Sequence, residues 1–165
     1  MNSPFLRGRC LDGRARFCGW LGLVLAGMSF ASGATINRPT AVSDARAVRL
    51  QEFFSAYRCP GPLHIAAYLR AADTYGIDYR LLPALSIRES TCGRHGRKNN
   101  HWGWDSARVG FASVSLGIQY VARQLARGRS YRGKTLDQKL RTYNPHPRYV
   151  AEVRKLMRQI QEDEE

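Results

Sequence analysis

The stretch Leu81–Gly93, LLPALSIRESTCG, restricts the fold more than any other part of the chain. At a helical period Leu82, Leu85, Ser86 and Glu89 fall on one stripe, at i, i+3, i+4 and i+7. Pro83 sits early in the segment, where a missing N–H is best tolerated, and Gly93 and Gly96 predict its end. Such a segment belongs against a core, yet its stripe ends in a carboxylate. A carboxyl group on a burying face loses hydration, which favours its protonated form, and general acid catalysis needs a protonated carboxyl. The plainer reading is a glutamate that reaches solvent from the end of a core helix. On periodicity alone that reading is favoured.

The neighbouring segments follow the same helical logic. Asp44 predicts a cap for a helix over Ala45–Tyr57, with Val48, Phe53 and Phe54 apolar. Cys59-Pro60-Gly61-Pro62 breaks the chain. Leu63–Tyr75 reads as a second helix, with Pro62 near its start, Gly76 after its end and a stripe of Leu63, Ala66, Ala67, Arg70 and Ala71. Asp78 is the next cap, before the Glu89 helix. Ser113 or Ser115 caps a helix to Ala126 with the stripe Val114, Ile118, Val121 and Leu125, and Gly128 stops it. Thr135 and Gln138 match a capping box for a short helix to Thr142. Tyr143–Pro147 is a rigid turn, and a last helix, Arg148–Ile160, buries Tyr149, Val153, Leu156, Met157 and Ile160. Repeats, heptads and alternating strand patterns are missing. The expectation is a mainly α fold: one helical domain with an irregular loop after the Glu89 helix.

The N-terminus reads as a secretory signal over residues 1–34. Arg7, Arg9, Arg14 and Arg16 precede a short apolar run, Trp20–Phe30, and Ala31-Ser32-Gly33-Ala34 offers small residues for cleavage. The run falls short of the ~20 apolar residues that a spanning helix needs, so no membrane span is expected after cleavage. Residues 35–161 form the expected domain and 162–165 an acidic tail. The leader carries four Arg and one Asp, so the net charge of +13 falls to +10 on its removal. A basic body implies an anionic partner. For an exported chain, periplasmic or extracellular, that partner is cell-wall polymer or an anionic membrane surface rather than nucleic acid.

Of four cysteines, Cys59 and Cys92 remain after cleavage, and an even pair in an exported chain reads as a disulfide. A metal site of Cys92, His95 and His101 fits no standard zinc spacing, and Arg94, Arg97 and Lys98 would repel the cation. No metal or other cofactor is expected. A thiol nucleophile at Cys92 is a further alternative, since basic neighbours favour a thiolate. The bridge accounts for both cysteines.

Arg94–Ala112 has no helical period and contains Asn99-Asn100-His101-Trp102-Gly103-Trp104-Asp105. Two indoles beside a candidate acid either plug the core or stack on the apolar face of a sugar ring, or divide the two roles. The acids of residues 35–161 are Asp44, Glu52, Asp73, Asp78, Glu89, Asp105, Asp137 and Glu152. Asp44 and Asp78 read as caps, and Asp137 suits the first turn of its helix. Glu52, Asp73 and Glu152 fall on ordinary helix surface. Glu89 and Asp105 are left for chemistry.

Three segments carry a resemblance. AADTYGIDYRLLPALSIRES, ending in Glu89-Ser90, resembles the helix–Gly–Ile–Asp–helix segment and catalytic Glu-Ser of lytic transglycosylases. NNHWGW, Asn99–Trp104, resembles the Asn-Asn-x-Phe-Gly loop of bacterial endo-β-N-acetylglucosaminidases. TYNPHPRYVAEVRKLM resembles the late Tyr-Asn segment of both groups, here Tyr143-Asn144. The similarity spans roughly residues 62–160. It implies a lysozyme-like domain that cleaves β-1,4 bonds of peptidoglycan with Glu89 as general acid and Tyr143 orienting it or the substrate. It also implies glycan contacts from Ser90, Asn100, Trp102, Trp104 and Asn144, with Asp105 the one possible second carboxylate. The Gly-Leu-Met-Gln segment usual after the transglycosylase glutamate is missing, as is the further distal carboxylate of some glucosaminidases. With no clear second carboxylate to position water, the expectation is the lytic outcome, a 1,6-anhydro sugar from the bond between N-acetylmuramic acid and N-acetylglucosamine. The Asn-Asn-x-Trp-Gly loop supports the alternative, a hydrolysed reducing end. A non-catalytic wall-binding module is the reading from a different class.

Overall fold

Caps and glycines divide the chain into helices much as the sequence suggests in the computed structural model, which describes residues 44–160. The expected leader, the lead-in Thr35–Ser43 and the acidic tail lie outside the described residues. The described residues hold helices α1 (Ala45–Ala56), α2 (Ile65–Tyr75), α3 (Leu81–Ser90), α4 (Val114–Arg127), α5 (Leu136–Tyr143) and α6 (Tyr149–Gln159). Among them there is no strand, only an isolated bridge between Arg97 and Asn100. All fall within one compact unit, and the fold is a mainly α single domain.

Local chemistry sets the boundaries. The Asp44 carboxylate accepts from the Arg46 N–H and caps α1. Ser113 caps α4 through the Leu116 N–H, and Thr135 with Gln138 closes a reciprocal capping box on α5. The start of α2 differs from expectation. His64, in the left-handed region, precedes Ile65, so Pro62 lies outside the helix behind a cis Gly61-Pro62 bond. The α2 stripe is also rotated. Ala67, Tyr68, Leu69, Ala71 and Ala72 are buried, whereas Ala66 and Arg70 are exposed, because α2 packs against both α1 and α4 and needs a wide apolar face. In α1, Val48 is 47% exposed and Leu50 joins Phe53 and Phe54 in the core instead.

Helix α3 is not amphipathic. Every residue from Leu81 to Ile87 is buried, as is Ser90, so only Arg88 and Glu89 reach outward. The helix is the central rod of the fold and packs on α6. Thr91, with φ 51°, ends it, two residues before Gly93. Immediately beyond, Cys92 is disulfide-bonded to Cys59 with a Cα–Cα distance of 5.5 Å, which ties the end of α3 to the chain before α2.

Trp102 is fully buried, and its indole N–H donates to the Leu82 carbonyl at 3.1 Å. Its ring meets Tyr68 and Phe111 edge-on. Gly117 of α4 makes this possible: a Cβ there would lie 2.7 Å from both the Trp102 and Phe111 rings. The irregular segment after α3 is therefore fixed to the helices by one aromatic plug.

Candidate active site

The penultimate residue of α3, Glu89, opens into a cleft of about 600 Å³. The walls come from four places: the end of α3, the 3-10 segment Trp104–Ala107, Tyr120 of α4 with Ser130 and Tyr131 beyond it, and Thr142, Tyr143 and Asn144 at the end of α5. Glu89 itself is half-buried.

Tyr149, the first residue of α6, donates its hydroxyl to Glu89 Oε1 at 2.6 Å. Burial pushes the Tyr149 phenol far above its ordinary range, and the charge of Glu89 and the hydrogen bond to it push in the same direction. The phenol thus stays protonated and remains a donor. Its ring stacks on Tyr143, 6.1 Å between centroids and 9° between planes, and the Arg88 guanidinium lies 5.6 Å from the centroid of the same ring. Arg88 is in turn held by Glu152 at 2.7 Å.

The second carboxylate oxygen, Oε2, faces Gly103. A Cβ built on Gly103 would lie 3.1 Å from it, and the φ of +59° there is one that side chains rarely adopt. Glycine between Trp102 and Trp104 therefore serves both the turn and access to the carboxylate. Trp102 turns inward as the plug. Trp104 turns to the cleft, its ring among Tyr120, Tyr131 and Tyr143 at 5.7–6.1 Å between centroids. Such a wall presents π-faces and edges to a flat, partly apolar ring.

The site residues expected from the sequence separate into two groups. Glu89, Trp104, Asp105, Tyr143 and Asn144 line the cleft. Ser90, Asn100 and Trp102 are buried behind it, which corrects their reading as glycan contacts. Ser90 donates to the His101 carbonyl at 2.6 Å and accepts from the Gly93 N–H at 2.8 Å. Asn100 donates to the Trp104 and Val109 carbonyls and accepts from the Trp104 N–H. These bonds occupy the polar atoms of both side chains, so their part is to shape the loop that presents Gly103 and Trp104.

Of the two expectations for Tyr143, orienting Glu89 or the substrate, the first is not met. Its hydroxyl donates to the Trp102 carbonyl rather than to Glu89. Burial, then the charges of Glu89 and Tyr131, hold that phenol protonated as well. Asn144 accepts from the His146 N–H at 3.0 Å and sets the turn into α6. Asp105 is exposed and paired with Arg108 at 2.6 Å. Asp105, Ser106 and Ala107 all have positive φ, an unusual run for residues with side chains.

The residue that sequence reasoning missed is Tyr149, which it assigned to the core stripe of the last helix. A buried phenol needs a hydrogen-bond partner, and that requirement was the available signal. Tyr120 and Tyr131 were also missed; neither falls in a motif. Among the described residues, no cluster of three or more His, Cys, Asp or Glu side chains converges to hold a metal ion.

Fold and cleft define a class by physics alone: a mainly α domain with one half-buried carboxylate, held by a tyrosine, in an aromatic-walled groove. No protein-family model, curated protein or solved structure matches the chain.

Proposed function

We propose that this chain is a lysozyme-like enzyme of the lytic transglycosylase type. It cuts the β-1,4 bond between N-acetylmuramic acid and N-acetylglucosamine in peptidoglycan, outside the cytoplasm. The observation that carries the reading is the setting of Glu89. Tyr149 holds one carboxylate oxygen, and the other faces the cleft across a glycine.

In the proposed reaction Glu89 gives its proton to the glycosidic oxygen as the bond from C1 to that oxygen breaks. The 2-acetamido oxygen of the same sugar stabilises the cation at C1, a substrate-assisted route that needs no enzyme nucleophile. The 6-hydroxyl of the muramic acid then attacks C1 and returns its proton to Glu89. The product is a 1,6-anhydro sugar, and the carboxyl is regenerated. Tyr149 stabilises the carboxylate in between. Trp104 and the tyrosines around it stack on the sugars, and the basic surface favours the anionic wall.

Asp105 favours one second reading, since it lines the same cleft. Acting as a base on water, it would make the chain a hydrolytic endo-β-N-acetylglucosaminidase. Its pairing with Arg108 argues for the first route. Turbidity loss of purified wall sacculi tests both. The wild type clears them, Glu89→Gln does not, and Asp105→Asn keeps substantial activity. Binding without clearing by the wild type would instead make the domain a wall-binding module.

A further inference from the structure

Behind Tyr120 lies a second groove, of about 370 Å³, between the end of α2 and the first half of α4. Its apolar lining is Tyr75, Phe111, Leu116 and Tyr120. Leu116 is 57% exposed, on a helix that otherwise buries its large aliphatic side chains or half-buries them. Arg123 and Arg127, one turn apart on α4, stand over the two tyrosines, 5.6 Å from the Tyr120 ring and 5.5 Å from the Tyr75 ring. Both arginines are exposed, and neither is in an ion pair among the described residues. The groove is thus an apolar floor with two guanidinium groups at its edge that rest on tyrosine rings and carry no carboxylate partner among the described residues.

Tyr120 is shared between this groove and the Glu89 cleft. Trp104, on the cleft side, lies 6.1 Å from its ring, and Phe111, on the groove side, lies 5.4 Å away. A ligand branching from a sugar in the cleft has to cross one aromatic ring to reach the groove. A neutral glycan makes no use of the paired guanidinium groups. A short peptide with methyl side chains and several carboxylates uses both parts, since guanidinium groups pair with carboxylates and the methyls bury on the floor.

We propose that the α2–α4 groove is a subsite for the acidic peptide branch of the polymer whose glycan occupies the cleft. This rests on the reading of the cleft as a peptidoglycan site. It makes the peptide-bearing strand, rather than the bare glycan, the preferred substrate.

The test uses Arg123→Gln/Arg127→Gln and, separately, Leu116→Ser, none of which lines the cleft. Each is compared with the wild type for kcat/KM on intact sacculi and on glycan strands stripped of peptide. In parallel the free stem peptide is titrated into the protein. The proposal expects the wild type to prefer the peptide-bearing strand and the double variant to lose about two- to thirtyfold on that strand alone, the range for two exposed charge pairs. Cleavage of stripped glycan stays unchanged, and peptide binding is lost in the double variant. Equal losses on both substrates, or peptide binding that survives the double substitution, would overturn it. So would equal displacement of the peptide by a non-peptide polyanion, which reduces the effect to bulk charge. The two readings fail separately. Wild-type protein that binds the peptide but cleaves neither glycan sinks the cleavage reading and supports the subsite. Cleavage of both glycans with no peptide binding sinks the subsite alone.

Discussion

Tyr149→Phe removes one oxygen and leaves the ring's contacts with Tyr143 and Arg88 in place. In the proposed cycle the bond from that hydroxyl to Glu89 Oε1 changes character. Before proton donation the acceptor is a neutral carboxyl, and a hydrogen bond to it contributes about 0.5–1.5 kcal/mol. As the proton leaves, the acceptor becomes a carboxylate, and the contribution rises to about 1.5–3 kcal/mol. The difference, roughly 1–1.5 kcal/mol, acts only on the way to the transition state. At about 1.36 kcal/mol per factor of ten, its loss lowers kcat about five- to thirteenfold. Tyr149 is fully buried but its acceptor Glu89 is only half-buried at the cleft, so the stability cost is that of one hydrogen bond, about 0.5–1.5 kcal/mol. Tyr143→Phe is the control. Its hydroxyl serves the carbonyl of the buried Trp102, so its loss costs about 1–3 kcal/mol of stability and acts on Glu89 only through the loop. Sacculus clearing rates and thermal unfolding on both variants read the two effects separately. An unchanged kcat in Tyr149→Phe, or indistinguishable behaviour of the two variants, would refute the reasoning.

Three further outcomes are expected. Replacing Cys59 and Cys92 by Ser should cost about 2–5 kcal/mol, read as a lower denaturation midpoint that matches the wild type under reductant. Trp102→Ala should cost about 3–5 kcal/mol by chemical denaturation, because the plug is fully buried and its N–H is bonded. Burial, and secondarily the charge of His64, hold His101 below its ordinary value of 6.5. The unfolded chain therefore takes up that proton first on acidification. The stabilising contribution is complete above about pH 6.5 and is lost as pH falls toward the folded value. Unfolding midpoints at pH 7 and pH 5 should differ more in the wild type than in His101→Gln, and equal differences would contradict the assignment.

Much of the fold was legible because caps and glycines act locally. Asp44, Ser113 and the Thr135–Gln138 pair form the caps that their residue types imply. Periodicity was less informative for α2 and α3, and burial explains why. A helix packed on two neighbours or enclosed on nearly all sides has no single stripe, so Arg70 and Ala66 were placed on the wrong face and α3 looked more amphipathic than it is. For the site, order along the chain showed which segments matter but not which way side chains turn. In Trp102-Gly103-Trp104 one indole goes to the core and the other to the cleft, a choice made by Gly117 across the fold. Likewise Tyr143 and Tyr149 are both late tyrosines. Which of them reaches Glu89 depends on the Tyr143–Pro147 turn and the packing of α6 against α3.

The central claim is that Glu89 moves the proton in glycosidic cleavage. Mass spectra of the products from sacculi digested by wild-type and Glu89→Gln protein test it most directly. The account predicts muropeptides ending in 1,6-anhydro-muramic acid, one water lighter than reducing ends, from the wild type. It predicts none from Glu89→Gln, although that variant still folds and binds the wall. Anhydro products in undiminished yield from Glu89→Gln would contradict it.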